Sequence, residues 1–367
     1  MEKKEKDNPF AKYNEIGYVG FVNLGNTCFL NSCLQILSHT YELNELFQTK
    51  KVVNFLKKRE EKDAGSVLII NEWLNLLNVI WTNKEKRAVV SPNRFVTNIK
   101  NIAKMKNHEL FTGYNQNDIS EFLLFMIECF HSCIARPVAI KINGNVENQT
   151  DELAMKCYSM IQKTYSKEYS EIIDMFYGIY VSEIRSLDET TRFSVNPESF
   201  FILDLPILFS LQETRKKTIY DCLDHFTSYE ILEGDNAWWN ENTKHKEDIK
   251  KRMIFFSFPK ILTITLKRFS FDGSHKNSEV VEFPLDLNLS KYVCGYNEEQ
   301  YQYELYGICN HIGDIHNGHY TAFVKNIKGE WVHYNDEILD ILSEGEINKI
   351  ISNPMYNTAY CLFYRKK

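Results

Sequence analysis

The 367-residue chain contains no apolar run approaching the roughly 18 residues that a membrane-spanning helix requires. It opens on Met1-Glu-Lys-Lys-Glu-Lys6, charged where a secretory signal would be apolar. Its nine cysteines are odd in number and lack the spacing of a disulfide framework, which excludes a stapled extracellular scaffold and suits a reducing compartment, the cytoplasm or nucleus. Positive charge is not in excess either. Lys and Arg total 43 against 49 Asp and Glu, a net of −6 spread along the chain, so neither a nucleic-acid surface nor a membrane-bound face is expected. What is present is core material, 44% hydrophobic residues including 14% aromatics. The length alone would allow two domains.

Residues 1–16 read as a mobile, charged tail dispensable to chemistry. From Cys28 to about Ala135 the pattern is helical. Val67 through Trp81 carries apolar residues at helical spacing, and Ser91-Pro92 offers a cap followed by proline at the first helical position. Arg136 to Thr150 reads as a polar connection and Asp151 to Phe176 as one further helix. From about Gly178 onward short alternating runs such as Ile261-Leu-Thr-Ile-Thr-Leu266 indicate antiparallel strands. The fold class is therefore α+β: a helical lobe and a strand-rich lobe, with a cleft between Cys28 on one wall and His319 on the other.

The most informative segment is Gly17-Tyr-Val-Gly-Phe-Val-Asn23-Leu-Gly25-Asn26-Thr-Cys28. Asn23, Gly25 and Asn26 break an extended run, and Phe29, Leu30, Cys33, Leu34 and Leu37 then repeat on one helical face. Cys28 is thus delivered to a helix N-terminus, where unpaired amides and the helix dipole favour a thiolate. The Asn23 amide, one turn-length upstream, can donate to an oxyanion formed by attack of Cys28. For one cysteine among nine a buried structural role is the commoner reading, so its partners decide. Asn317-Gly-His319-Tyr-Thr-Ala-Phe-Val324 and Glu330-Trp-Val-His-Tyr-Asn335-Asp336 read as two strands joined across Lys328-Gly329, a hairpin able to bring His319 and Asn335 together. Alone, His319 would be an ordinary packed or surface histidine. Cysteine first, then histidine, then asparagine is the chain order of papain-like peptidases, where histidine takes the thiol proton and the third residue orients the ring.

These stretches resemble the cysteine and histidine boxes of the ubiquitin-specific proteases, and the resemblance runs from about Tyr18 to Arg365. It implies a papain-like catalytic domain over residues 17–367, with helical thumb, β-rich palm and β fingers. It places the nucleophile on Cys28, the oxyanion amide on Asn23, the base on His319 and the orienting residue on Asn335, with Asp336 able to assist the histidine. Asparagine in place of aspartate should suffice, because orienting the ring requires a fixed acceptor more than a full charge. Gln116-Asn117-Asp118-Ile-Ser-Glu121-Phe122 resembles the family's Gln-Gln-Asp-x-x-Glu-Phe motif, with Asn117 in place of the second glutamine. By that resemblance Gln116, Asp118 and Tyr320 line the channel for the C-terminal tail of ubiquitin, although Asp118-x-x-Glu121 also fits a helix N-terminal cap. Phe176-Tyr-Gly178, Phe201-Ile-Leu-Asp-Leu-Pro206, Leu266-Lys-Arg-Phe269, Val281-Glu-Phe-Pro-Leu285 and Tyr360-Cys-Leu-Phe-Tyr364 follow in the family's order.

Many members of that family hold a structural zinc between two Cys-x-x-Cys pairs in the fingers. The matching places here hold Ser186, Glu189, Asn240 and Thr243, so no metal is expected, and no cofactor. Trp238 and Trp239 could supply aromatic packing there or meet a partner. Asn310-His-Ile-Gly-Asp-Ile-His-Asn-Gly318 reads either as a moving loop over the tail channel or as an ordinary surface loop. The implied activity is hydrolysis of the bond after ubiquitin's C-terminal glycine by a monomer, its partners being ubiquitin and ubiquitinated proteins. A catalytically silent ubiquitin-binding module and a peptidase for another ubiquitin-like modifier remain alternatives.

Overall fold

The computed structural model describes residues 9–61, 64–113, 115–207, 216–270, 275–314, 317–352 and 358–367. Two compact units divide the chain. One comprises the residues up to Ala135, Thr265–Val280 and Leu305–Phe363; the other comprises Arg136–Ile264, Val281–Glu304 and Tyr364–Lys367.

The helices of the first unit are α1 (Cys28–Ser38), α2 (Tyr41–Gln48), α3 (Lys50–Glu60), α4 (Leu68–Thr82), α5 (Asn93–Met105), α6 (Ile119–Ile134) and α7 (Glu344–Ser352). Its short strands β1 (Val19–Phe21) and β2 (Ala88–Val90) pair in parallel. β3 (Ile261–Lys267), β4 (Gln302–Gly313), β5 (Gly318–Lys325), β6 (Trp331–Asn335), β7 (Ile338–Leu342) and β8 (Ala359–Lys366), of which Thr265–Lys267 of β3, Leu305–Gly313 of β4 and Ala359–Phe363 of β8 belong to this unit, follow one another in a sheet as β7-β6-β5-β4-β8-β3. α1 packs on β5 and β6, the two strands of the expected hairpin. Asn326 closes that hairpin by accepting from the N–H groups of Lys328 and Glu330, both at 3.0 Å, while Gly329 supplies a positive φ of 86°.

α4 matches the helix expected over 67–81. At α5 the structure places Pro92 at the cap and begins the helix one residue later than expected, with Val96 N–H on Pro92 O at 2.9 Å. The tail expected over 1–16 does not extend through Phe10–Tyr13. Tyr13 is buried, stacks on Tyr41 at 4.8 Å and donates to Glu45 at 2.7 Å; residues 1–8 lie outside the described residues. β3 was expected to alternate, yet Ile261 through Leu266 are all buried, including Thr263 and Thr265.

The second unit contains an antiparallel sheet of Arg192–Phe200, Gly178–Ser186, Ile249–Ser257 and Glu230–Leu232, in that order. The single helix expected over 151–176 is two, Gln149–Tyr165 and Glu171–Phe176. The break has a tertiary cause. Tyr169 exchanges backbone hydrogen bonds with Arg136 at 2.8 and 2.9 Å, and the Arg136 guanidinium lies over its ring while forking onto Glu171. Ile219–Thr227 is a helix not expected from sequence, although its Thr218–Asp221 capping box was there to be read.

In this unit the four positions corresponding to metal ligands, spread over two hairpins, do not fit a zinc site. Ser186 Oγ donates to Asp188, and both Asn240 and Thr243 donate to Glu247, at 2.9 and 2.6 Å. These side chains close their own hairpins and offer no thiolate. Nearby, the fully buried Glu183 meets Arg185 at 3.0 Å and Arg192 and Arg252 at 2.7 Å. Burial alone would raise that carboxyl, but hydrogen bonds from Arg185 and Arg252 outweigh it and hold the group below its usual range. Trp238 stacks on Phe193 at 5.8 Å, whereas Trp239 is 49% exposed. Elemental analysis of purified protein is expected to find no stoichiometric zinc, and one zinc per chain would contradict that.

Candidate active site

The turn before α1 is built by Asn23. Its Oδ1 accepts from the N–H groups of Gly25 at 3.0 Å and Thr27 at 3.2 Å, and Leu24 N–H donates to Thr27 Oγ1 at 2.9 Å. Gly25 and Asn26 take left-handed backbone, φ 91° and 56°, at low cost for these residue types. Helix α1 then begins at Cys28, whose side chain sits at the first turn with only 4% of the residue exposed.

All of α1 is buried, beyond the one apolar face anticipated. Its polar residues are absorbed by specific partners: Gln35 donates to Val19 O at 2.8 Å, and Asn31 to the Asp336 carboxylate at 2.8 Å. The amide N–H groups are thus paired, while the Asn31 and Gln35 oxygens have no hydrogen-bond partner among the described residues.

His319 is the second residue of β5 and Asn335 ends β6. Their contact is 2.7 Å between His319 Nε2 and Asn335 Oδ1, so the ring carries its proton on Nε2 and presents Nδ1 to the sulfur. The imidazole is raised to about 9, first by its hydrogen bond with Cys28, with Asn335 and the charge of Asp336 adding to it against the effect of burial. Below the raised value the imidazolium can protonate a leaving group; above it that proton is lost. The same sign applies to folding: this contact contributes stability that is complete below the unfolded value near 6.5 and disappears as pH rises through about 9. We therefore expect the alkaline limb of kcat/KM to fall near pH 9, and to move to lower pH in Asn335→Ala, which removes one of the groups raising the ring. A limb that stays in place in that variant would separate Asn335 from His319.

Asp336 follows in a left-handed conformation, φ 51°, and its carboxylate is shared among amides. Oδ2 accepts from Asn23 Nδ2 at 2.9 Å and Oδ1 from Asn31 Nδ2 at 2.8 Å, while His319 Nε2 lies 3.9 Å away. Its backbone carbonyl accepts from Phe21 N–H at 2.8 Å. That approach requires glycine at position 20, where a Cβ would lie 2.4 Å from Glu337 O. Asn335 is thus the direct orienting group, and Asp336 ties β1, α1 and the Asn23 turn together.

The third element is the start of α6. Asp118 is its cap, accepting from the N–H of Ser120 at 2.7 Å and of Glu121 at 3.3 Å. Its other oxygen accepts from Tyr360 OH at 2.6 Å and Tyr320 OH at 3.3 Å. Burial first, and then the Asp118 charge, hold both phenols far above their usual range, so they remain donors. Gln116 Oε1 accepts from Gly318 N–H at 3.1 Å, tying this segment to the residue before His319.

The loop preceding β5 is pinned on one side. Lys276 Nζ donates to Gly313 O at 2.7 Å and to His311 O and Nδ1 at 2.9 Å. Burial, then Lys276, push His311 down to about 4, leaving it neutral. Gly318 is glycine because the His311 ring lies where its Cβ would be, 1.9 Å from Nε2, which is a packing requirement rather than a hinge. Ile315 and His316 of this loop lie outside the described residues.

Cys28, His319, Asn335, Asn23 and Asp336 are therefore brought to one centre, and Gln116, Asp118 and Tyr320 to a neighbouring cluster. Asn31, Lys276 and the hydroxyl of Tyr360 were not singled out from sequence. Asn31 and Gln35 did leave a signal, an amide i, i+4 pair inside a largely apolar helix.

Comparison with known proteins agrees with this geometry. A family model described as ubiquitin carboxyl-terminal hydrolase matches residues 19–364. Ubiquitin carboxyl-terminal hydrolase 2 of Bos taurus is 33% identical over 354 residues, 95% of this chain and 55% of that protein. Ubiquitin carboxyl-terminal hydrolase 4 of Saccharomyces cerevisiae is 26% identical over 377 residues, 95% of this chain and 39% of that one. The chain spans about half the length of the bovine relative. Among solved structures, the SAGA Ubp8/Sgf11/Sus1/Sgf73 DUB module bound to ubiquitin aldehyde matches with a TM-score of 0.67 at 23% identity, covering 97% of this chain and 70% of that chain. The α+β, papain-like fold is thereby shared.

Proposed function

Because the chain belongs to the ubiquitin carboxyl-terminal hydrolase family, we propose that it is a thiol-dependent deubiquitinase that cleaves the bond after the C-terminal glycine of ubiquitin. The observation that carries this reading is the ordered set Asn335 Oδ1, His319 and Cys28, with the Asn23 amide beside it. Cys28 Sγ attacks the glycine carbonyl, and an N–H of Asn23 meets the oxyanion. The His319 imidazolium gives its proton to the departing lysine amine as the C–N bond breaks, leaving a thioester. Water, losing a proton to His319, attacks the thioester and releases the ubiquitin carboxylate and the Cys28 thiol.

A nucleophile with only 4% exposure suits a slender chain end, and glycine is the residue that passes where a Cβ would collide. Gln116, Asp118 and Tyr320 would line the approach of that tail, Asp118 while also capping α6. Residues 17–367 would act as one catalytic domain, monomeric and needing neither nucleic acid nor membrane. Nine cysteines without a disulfide suit the cytoplasm or nucleus.

The test is release of a fluorophore from the C-terminus of full-length ubiquitin, beside a short tail peptide and another ubiquitin-like modifier. Turnover of the ubiquitin substrate well above both others is expected. Binding of ubiquitin without turnover would replace the reading by a silent binding module, and preference for the other modifier would replace the substrate.

A further inference from the structure

Helix α1 holds two buried amides, Asn31 and Gln35, whose oxygens have no hydrogen-bond partner among the described residues, and of the two it is Asn31 that donates to a carboxylate of the site. Asn31 is 2% exposed, and its Oδ1 has no hydrogen-bond partner among the described residues. Its Nδ2 is used, on Asp336 Oδ1 at 2.8 Å, with longer approaches of 3.4 Å to the carbonyls of Phe21 and Val22. A packing role would be served as well by leucine, which buries no orphan acceptor. What leucine lacks is the donor.

We propose that Asn31 is a positioning residue for the oxyanion donor: by holding one oxygen of Asp336, it fixes the carboxylate whose other oxygen aims the amide of Asn23. This rests on the reading of the site as a thiol hydrolase. The distances assign the direction of action. Asp336 Oδ2 is 2.9 Å from Asn23 Nδ2 but 3.9 Å from His319 Nε2, and the ring is already served by Asn335 at 2.7 Å. A carboxylate rotates about its own bond, and the two amides, one on each oxygen, prevent that here. Without the α1 donor the Asp336 group can turn toward the cationic ring, and Asn23 loses its fixed acceptor. The oxygen end of the same planar amide accepts from Gly25 and Thr27, and Asp336 is the acceptor that holds its nitrogen end. Cys28 and Asn31 lie on the same helix face one turn apart, so the helix that carries the nucleophile also sets the group that receives the oxyanion.

The experiment compares wild type, Asn31→Leu, Asn31→Ala, Asn23→Ala and Asn23→Ala/Asn31→Leu, on the ubiquitin–fluorophore substrate. Alkylation of Cys28 by iodoacetamide, located by mass spectrometry, runs alongside, because that displacement forms no oxyanion and reads only the thiol–imidazole pair. Turnover by wild type tests the underlying reading; the variants then test the proposal. Asn31→Leu is expected to lower kcat by about 10²-fold, the scale of a misplaced catalytic group, with KM and the alkylation rate unchanged. The double variant should be no slower than Asn23→Ala alone, since both act through one amide. Unchanged kcat in Asn31→Leu, an equal loss in alkylation, additive losses in the double variant, or failure of both Asn31 variants to fold would each overturn the assignment.

Discussion

Cys28→Ala will eliminate turnover of a ubiquitin C-terminal substrate while ubiquitin remains bound with near-wild-type affinity. Removing a nucleophile from a hydrolase of this kind costs on the order of 10⁶ in kcat, since the remaining groups have nothing to activate. No other thiol can substitute. Among the remaining eight cysteines, burial raises Cys33, Cys129, Cys133, Cys157, Cys294 and Cys309, which disfavours their thiolates. The substitution removes a single sulfur from a site whose other partners hold one another, so the ubiquitin-binding surface should persist. One corollary is specific to this geometry. Cys28 is the largest cause raising His319, so in Cys28→Ala the imidazole should titrate below the wild-type value of about 9, observable by NMR of the ring. Turnover within about tenfold of wild type would refute the nucleophile, because acid–base catalysis alone supplies far less than a covalent route.

The parts of this site that were legible in the sequence are those set by local chemistry. The Asn23, Gly25 and Asn26 turn marks where extended chain must stop, and the apolar repeat beginning at Phe29 marks where a helix must start, so the position of Cys28 follows from neighbours within a few residues. The His319–Asn335 contact was legible because two strand-like runs flank Lys328-Gly329, and a tight turn fixes the register of a hairpin. Asp118 as a cap needed only its spacing from Glu121. What could not be read depends on segments brought together by folding. The Asn31–Asp336 bond joins positions 305 residues apart, and Tyr360 reaches Asp118 across 242. The helix expected over 151–176 breaks because Tyr169 pairs with the backbone of Arg136, a choice that no propensity within the segment discloses. Likewise the sequence reading of α1 named one apolar face, and its polar stripe proves dry as well because β1 and the Asp336 turn offer partners. Polar residues on a helix predict solvent only when no such acceptor arrives from elsewhere.

Asp118 caps α6 and, in the function proposed, also lines the approach of the ubiquitin tail, and two substitutions separate these roles. Asp118→Ala removes the α6 cap, worth about 1 kcal/mol. It also strands the hydroxyls of Tyr320 and Tyr360, both nearly buried, at roughly 1–3 kcal/mol for each unpaired group. A loss of about 3–7 kcal/mol in urea unfolding is therefore expected, large against the 5–15 kcal/mol typical of a folded domain. Asp118→Asn keeps an oxygen for the cap and an amide that can pair with the tyrosine hydroxyls, so most of that stability should be retained. Its catalysis should not be. A neutral amide that turns its N–H groups toward Tyr320 and Tyr360 leaves weaker acceptance for a backbone donor of the ubiquitin tail, and KM should rise more than kcat falls. If Asp118→Asn is as active as wild type, the carboxylate serves only to cap α6 and to anchor the two tyrosines. If instead it loses ubiquitin affinity while unfolding near the wild-type midpoint, the charge meets the tail as well, and one residue then orders both the helix and the substrate beside Cys28.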